Sequence, residues 1–144
     1  MAISKKQSKK SGNLRAELIE AAEKRIKEKG ISALSLRTLA KDAGVSTMAT
    51  YYHFANKEAL IVQIAVRGFN RLGAEMAKGQ SDKASPGDNI KALMRRYFNF
   101  ALKNIAVYHL MFGQEIQGKP FIPEFKEASR ENFYLMATLL QKQS

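Results

Sequence analysis

The stretch SLRTLAKDAGVSTMATYYHF, residues 35–54, limits most strongly what this chain can fold into. Ser35 and Ser46 can each cap a short helix, because a serine hydroxyl accepts a hydrogen bond from the free N–H groups of a first helical turn. Gly44 lies between the two helices and can take the positive φ that a tight turn requires. Ala40 is small enough for the two helices to cross closely. The pattern therefore predicts a helix-turn-helix unit.

The rest of the chain also has helical spacing. Apolar residues recur every four positions from Asn13, which is a plausible N-cap, to Gly30, a plausible stop: Leu14, Leu18, Ala22 and Ile26. A wide apolar stripe follows in a fifth helix: Ile90, Leu93, Met94, Tyr97, Phe98, Ala101, Leu102 and Ile105. No stretch alternates with period two for long enough to indicate a strand, so we predict an all-α fold.

The predicted chain has three regions. Residues 1–12 form a basic tail without apolar spacing, and we expect it to be disordered. Residues 13–78 contain three helices with the helix-turn-helix unit at 35–54, followed by a long fourth helix from about Asn56. Residues 78–88, KGQSDKASPGD, have the composition of a loop, and residues 85–144 form a second helical domain. Regularity breaks at 114–123, and a last helix follows.

The formal net charge is +11, which favours nucleic acid as a partner and, second, an anionic membrane surface. The absence of cysteine excludes disulfides and thiolate chemistry, and two histidines give no convincing metal site. We find no cofactor motif and no pattern of an enzyme active site. No apolar run approaches the roughly 20 residues of a membrane span, and the N-terminus lacks a secretory pattern, so we expect a cytoplasmic protein that is not an enzyme.

The third predicted helix has a polar outer face. Thr47, Met48 and Tyr51 share one side of it at helical spacing. A helix presented in this way fits the major groove of DNA, where threonine can bond base edges and Met48 or Ala49 can pack on a thymine methyl. Phosphate or sugar contacts suit Tyr51 and three further side chains: Arg37, His53 and Lys57. For Met48, Tyr51, His53 and Lys57 the alternative is an ordinary solvated or packed side chain.

Three segments carry a family resemblance: LIEAAEKRIKEKG, SLRTLAKDAGVS and YYHFANKEAL. With these residues the stretch from about Asn13 to Met76 resembles the DNA-binding domain of TetR-type (TetR/AcrR) transcriptional regulators. The resemblance implies that the third helix reads DNA and that Tyr52 and Phe54 belong to the core. It implies DNA-binding positions at Ser35, Arg37, Ser46, Thr47, Met48, Ala49, Tyr51, His53 and Lys57. Ala49 and Thr50 depart from the hydroxyl and apolar residues, respectively, that are usual in the family.

The segment RRYFNFALKNIAVYHLMFG, residues 95–113, resembles the start of a common C-terminal domain of the same family. That resemblance implies a small, largely apolar effector. The residues that could line its pocket, each of which could equally be core, are Met94, Tyr97, Phe98, Leu102, Tyr108, Met111, Phe112, Phe133 and Met136. His109 is expected at the surface or in a satisfied polar contact. Family members usually continue for two more long helices that form a homodimer, so dimerisation of a chain ending at Ser144 is in doubt.

Two functions remain open. The first is a repressor that binds a palindromic operator in double-stranded DNA and is released by the effector. The second is a basic nucleic-acid-binding protein without sequence preference, which predicts equal binding to every duplex and a steep dependence on salt.

Overall fold

The computed structural model describes residues 2–113 and 123–144, with side chains from residue 13 onward. Within these ranges the regular secondary structure is helical, which confirms the all-α prediction. The elements are α1 (Ala2–Lys29), a 3-10 helix (Ile31–Ala33), α2 (Leu36–Ala43), α3 (Thr47–His53), α4 (Lys57–Lys78), α5 (Pro86–Lys103), α6 (Ile105–Phe112) and α7 (Pro123–Gln141). None of the helices in the described part of the chain combines the length and apolar character that a membrane crossing needs.

The chain divides into two compact units, residues 1–64 and 65–144. The core of the first unit is made by α1 to α3 and the start of α4. Its buried side chains include Leu18, Ala22, Ile26, Leu34, Leu36, Leu39, Ala40, Phe54, Leu60 and Ile64. Burying apolar area is the main favourable contribution to folding, so Phe54 in this set anchors the end of α3 to the core.

The start of α1 differs from the prediction. The helix begins at Ala2, so Asn13 is not its N-cap as predicted, and residues 2–12 of the predicted disordered tail belong to α1. Four of the residues at 2–12 are lysines, which are good helix formers, whereas the three serines there are intermediate and Gly12 is poor. The predicted end is confirmed, since Gly30 follows α1 with φ 83° and its N–H donates to the Ile26 carbonyl at 2.9 Å.

The second unit takes the C-terminal part of α4 together with α5, α6 and α7. Phe69, Leu72 and Met76 of α4 are buried in it with Leu93, Phe100, Val107, Leu110 and Met111. The Asn132 side-chain amide on α7 donates to the Phe69 carbonyl at 2.9 Å. The unit boundary therefore falls inside α4, because the buried side of this helix changes partners along its length. The sequence analysis had assigned all of residues 13–78 to the first domain.

The predicted loop at 78–88 is shorter than expected. Ser85 caps α5 by accepting a hydrogen bond from the Asp88 N–H, and Pro86 occupies the first turn, where a proline needs no N–H partner. Buried Asn89 holds the loop, accepting from the Ser81 N–H at 3.0 Å and donating to the Ser81 carbonyl at 2.9 Å. Residues 114–122 of the predicted break at 114–123 lie outside the described residues. Its last position, Pro123, begins α7.

Candidate nucleic-acid interface

The start of α2 is fixed by a reciprocal pair of hydrogen bonds. The Ser35 hydroxyl accepts from the Thr38 N–H at 3.0 Å, and the Thr38 hydroxyl oxygen accepts from the Ser35 N–H at 3.0 Å. This capping box satisfies two N–H groups that the helix itself leaves free. The predicted cap at Ser35 is confirmed, and Ser35 is half-buried by it.

The turn between α2 and α3 has the geometry that its glycine allows. Gly44 adopts φ 68° and ψ 33°, the left-handed region that is costly for other residues. The Gly44 N–H donates to the Lys41 carbonyl at 3.3 Å and the Val45 N–H to the Ala40 carbonyl at 3.0 Å. These are the two bonds of a Schellman motif, which ends α2 and sends the chain into α3 in a defined direction.

The buried side of α3 has a polar residue at its centre. Thr50 is fully buried, and its hydroxyl donates to the Thr47 carbonyl at 2.6 Å, with the Leu36 carbonyl at 3.4 Å. A buried hydroxyl with such partners avoids the cost of an unsatisfied polar group. This accounts for a threonine at a position where the family resemblance favours an apolar residue. Ser46 caps the helix by accepting from the Ala49 N–H at 3.2 Å, as predicted.

The outer face of α3 lies at the surface. Thr47 is exposed, Met48 is 80% exposed and Tyr51 is 54% exposed, while Ala49 is half-buried. Their placement agrees with the sequence, and their contact with DNA stays a prediction. The outer face of α3 therefore offers hydroxyl, thioether and phenol groups on a helix whose opposite side is packed through buried Thr50.

Tyr52 is the clear error among the aromatic residues. The resemblance placed it in the core, but it is 86% exposed, whereas Phe54 is 2% exposed. The Arg15 guanidinium lies 5.4 Å from the centre of the Phe54 ring. The rings of His53 and Tyr52 meet edge to face with centres 5.1 Å apart, and His53 is half-buried. The spacing carried this signal, because Thr50 and Phe54 are four residues apart on the buried side and Tyr52 falls opposite.

The two predicted phosphate-binding cations differ in their surroundings. Arg37 is exposed at the start of α2, and no hydrogen bond or ion pair links it to the residues that the structure describes. Lys57 is half-buried, and its ammonium donates to the Ile31 carbonyl at 2.9 Å. Lys57 therefore joins the start of α4 to the 3-10 helix, and this internal bond competes with the predicted contact to phosphate.

An ion pair that was not predicted from the sequence also stabilises the unit that carries the interface. Arg25 Nε donates to the Ala33 carbonyl at 2.8 Å, and Arg25 Nη1 lies 2.6 Å from Asp42 Oδ2. One guanidinium on α1 thus holds both the 3-10 helix and the last turn of α2. The available signal was Asp42 itself, because a carboxylate in a last helical turn opposes the helix dipole and calls for a cation.

The residues predicted to line an effector pocket do not share one environment. Met111 is buried, whereas five others are exposed: Met94, Phe98, Leu102, Phe112 and Phe133. The Tyr97 and Tyr108 hydroxyls are 2.9 Å apart, and burial, together with this hydrogen bond, raises the pKa of Tyr97 to about 12. Met136 is half-buried. None of the nine lines the cleft between α4 and α5. His109 is exposed, which agrees with the expectation that it lies at the surface.

In the part of the chain with described side chains, no three acidic or histidine residues lie close enough together to hold a metal ion.

Comparison with known proteins finds that the chain is similar to bacterial regulators. Residues 18–64 match the family model described as bacterial regulatory proteins, tetR family. The chain is 28% identical over 119 residues to the HTH-type transcriptional repressor KstR2 of Mycobacterium tuberculosis, covering 82% of this chain and 58% of that protein. The chain spans about half the length of the curated relatives that it matches.

Two solved structures share the fold. A protein of unknown function from Rhodococcus sp. RHA1 has a TM-score of 0.80 and 30% identity, with 90% of this chain and 66% of that chain covered. The TetR family transcriptional regulator PfmR from Thermus thermophilus has a TM-score of 0.66 and 26% identity, with 88% and 67% covered. Both the helix-turn-helix and the helices after it are therefore shared with known proteins.

Proposed function

We propose that this chain, which belongs to the TetR family of bacterial regulatory proteins, is a sequence-specific DNA-binding transcriptional regulator that acts in the cytoplasm. The observation that carries the proposal is the outer face of α3, a helix that is capped by Ser46 and leaves Thr47, Met48 and Tyr51 exposed. The N-terminal residues of such a helix reach base edges when the helix lies in the major groove.

The proposed contacts divide by chemistry. Thr47, Met48 and Ala49 read base edges and methyl groups, while Arg37 and Tyr51 bind the sugar-phosphate backbone. Tyr52 joins them as a backbone contact, because its phenol is exposed beside Tyr51. Ser35 and Ser46 act through their helix caps, and His53 and Lys57 support the edge of the interface.

The regulator is proposed to be a repressor released by a small, largely apolar effector. Two observations support this: the relative KstR2 is named a repressor, and apolar side chains such as Met94, Phe98 and Phe133 remain exposed in the second unit. An effector changes DNA binding only if it binds the two states of the protein with different affinity. α4 is the proposed link, because its residues belong to both units.

The competing function is sequence-independent binding driven by the net charge of +11. Selection of bound duplexes from a random pool separates the two functions. The proposal predicts enrichment of one sequence, with two symmetric half-sites if two copies bind together, as expected of a homodimer on a palindromic operator. Enrichment of no sequence would favour the alternative.

Thr47→Ala is expected to relax the selected preference at one or two base pairs while the protein still binds DNA. The substitution removes a hydroxyl from the first turn of α3 and leaves the Ser46 cap in place. The measurement is the same selection repeated with the variant. Thr138→Ala, which changes an exposed threonine in the second unit, should leave the selected sequence as it was. Identical preferences for wild type and Thr47→Ala would contradict base reading by this residue.

Arg37→Gln is expected to weaken binding to all duplexes about equally and to reduce the slope of log K against log salt by about one. Arg37 suits this test better than Lys57, whose ammonium also holds the Ile31 carbonyl. Binding is measured by fluorescence anisotropy over a series of salt concentrations. Arg130→Gln removes the same charge from α7 and should leave the slope unchanged; equal slopes for the two variants would rule out a phosphate contact at Arg37.

A further inference from the structure

The second unit contains an open cleft of about 810 Å³ between α4 and α5. Its walls follow helical spacing: Arg71, Glu75 and Lys78 project from α4, and Arg95, Arg96 and Lys103 project from α5. Five cations thus share one cleft with a single carboxylate. Like charges held together repel each other, so the cleft carries a positive potential that an anion would relieve.

Glu75 positions part of this cluster. Its carboxylate lies 3.0 Å from Arg96 Nη1 and 3.2 Å from Lys78 Nζ. Lys78 first, and Arg96 second, lower the pKa of the Glu75 carboxyl, so this group stays charged at neutral pH. The Arg96 stem also packs on the chain after α4, since a Cβ at Gly79 would lie 2.8 Å from Arg96 Cδ. The Arg96 guanidinium is therefore held at the cleft wall.

Arg95 and Lys103 are different. Both are exposed and line the cleft, and no hydrogen bond or ion pair joins either of them to the residues that the structure describes. They lie eight residues apart on α5, about two turns, with Asn99 between them. Their donors are available to a ligand, as is the side-chain amide of Asn99.

We propose that this cleft binds a small organic anion that carries more than one phosphate or carboxylate group. Arginine guanidinium groups suit both groups because they can donate two parallel hydrogen bonds. The volume lies in the range of small-molecule sites. Phe100, Ala74 and Ala92 line the same cleft and offer apolar contact to the carbon part of the ligand. None of the residues predicted to line the apolar effector pocket borders this cleft, and the proposal does not depend on DNA binding.

The test is isothermal titration calorimetry of the whole chain with pyrophosphate and, separately, citrate in about 150 mM NaCl without DNA, a salt concentration that screens diffuse attraction. We expect saturable binding of one molecule per chain. The double variant Arg95→Gln/Lys103→Gln is expected to weaken it at least about tenfold, since each lost charged hydrogen bond is worth roughly this factor. The tighter of the two probes identifies whether phosphate or carboxylate is preferred.

The matched control is Lys91→Gln/Arg130→Gln, which also removes one lysine and one arginine, both outside the cleft. It should keep the affinity of the wild type within about twofold. Failure of both probes to bind, or equal weakening by the two double variants, would overturn the proposal, the second result because it indicates diffuse attraction to the net charge. Circular dichroism of each variant verifies that the helices remain.

Discussion

Replacing Phe54 with alanine is expected to destabilise the first unit by about 3–5 kcal/mol, the usual cost of removing a buried phenylalanine ring. Phe54 is 2% exposed, ends α3, and lies under the Arg15 guanidinium at 5.4 Å. Its loss leaves a cavity where α3 is held to the rest of the unit. Because domains are stable by only about 5–15 kcal/mol, DNA binding should fall sharply although no residue of the outer face has changed.

Tyr52→Ala is the control for this prediction, since it removes a neighbouring aromatic ring that is 86% exposed. It should change the free energy of unfolding by no more than about 0.5 kcal/mol, while weakening DNA binding if Tyr52 contacts the backbone. Urea unfolding followed by circular dichroism measures the first quantity and anisotropy the second. If Tyr52→Ala were the more destabilising of the two, the end of α3 would be turned the other way.

The helix caps, the turn and the buried side of α3 could be predicted from the sequence. The caps at Ser35 and Ser46 and the turn at Gly44 depend on local chemistry, and the structure places them where the residues predict. The side of α3 that faces the core also follows from spacing, with Thr50 and Phe54 buried. The error at Tyr52 arose because a family pattern was followed where helical spacing pointed the other way.

Other features depend on contacts that are distant in sequence. The bond from Lys57 to the Ile31 carbonyl spans 26 positions, and nothing near Lys57 indicates it. The wide apolar stripe of α5 does not reveal which part is covered: the structure buries Leu93 of the stripe and leaves Met94 and Phe98 exposed, and it also buries Phe100, which the predicted stripe did not include. The cationic cleft could likewise not be predicted from either helix alone, since α4 and α5 each supply only part of its charges.

Gly68→Ala is expected to destabilise the second unit by about 1–2 kcal/mol, although alanine is the better helix former by about 1 kcal/mol. Gly68 lies within α4, where a Cβ would be 2.6 Å from Met111 Sδ and 2.9 Å from Val107 Cγ1. Met111 can move its sulfur, but the branched Val107 side chain is stiff, and both residues are buried. The overlap therefore forces α6 away from α4, and this cost exceeds the gain in helix propensity.

Gly87→Ala makes the same change in the first turn of α5, where a Cβ would meet nothing within 4 Å. It should stabilise the unit by up to about 1 kcal/mol, so the two substitutions are expected to have opposite signs in urea unfolding. Adding Val107→Ala to Gly68→Ala should cost less than the sum of the two single changes, because the smaller side chain makes room for the new methyl group. Additive effects would mean that α4 and α6 do not meet at Gly68.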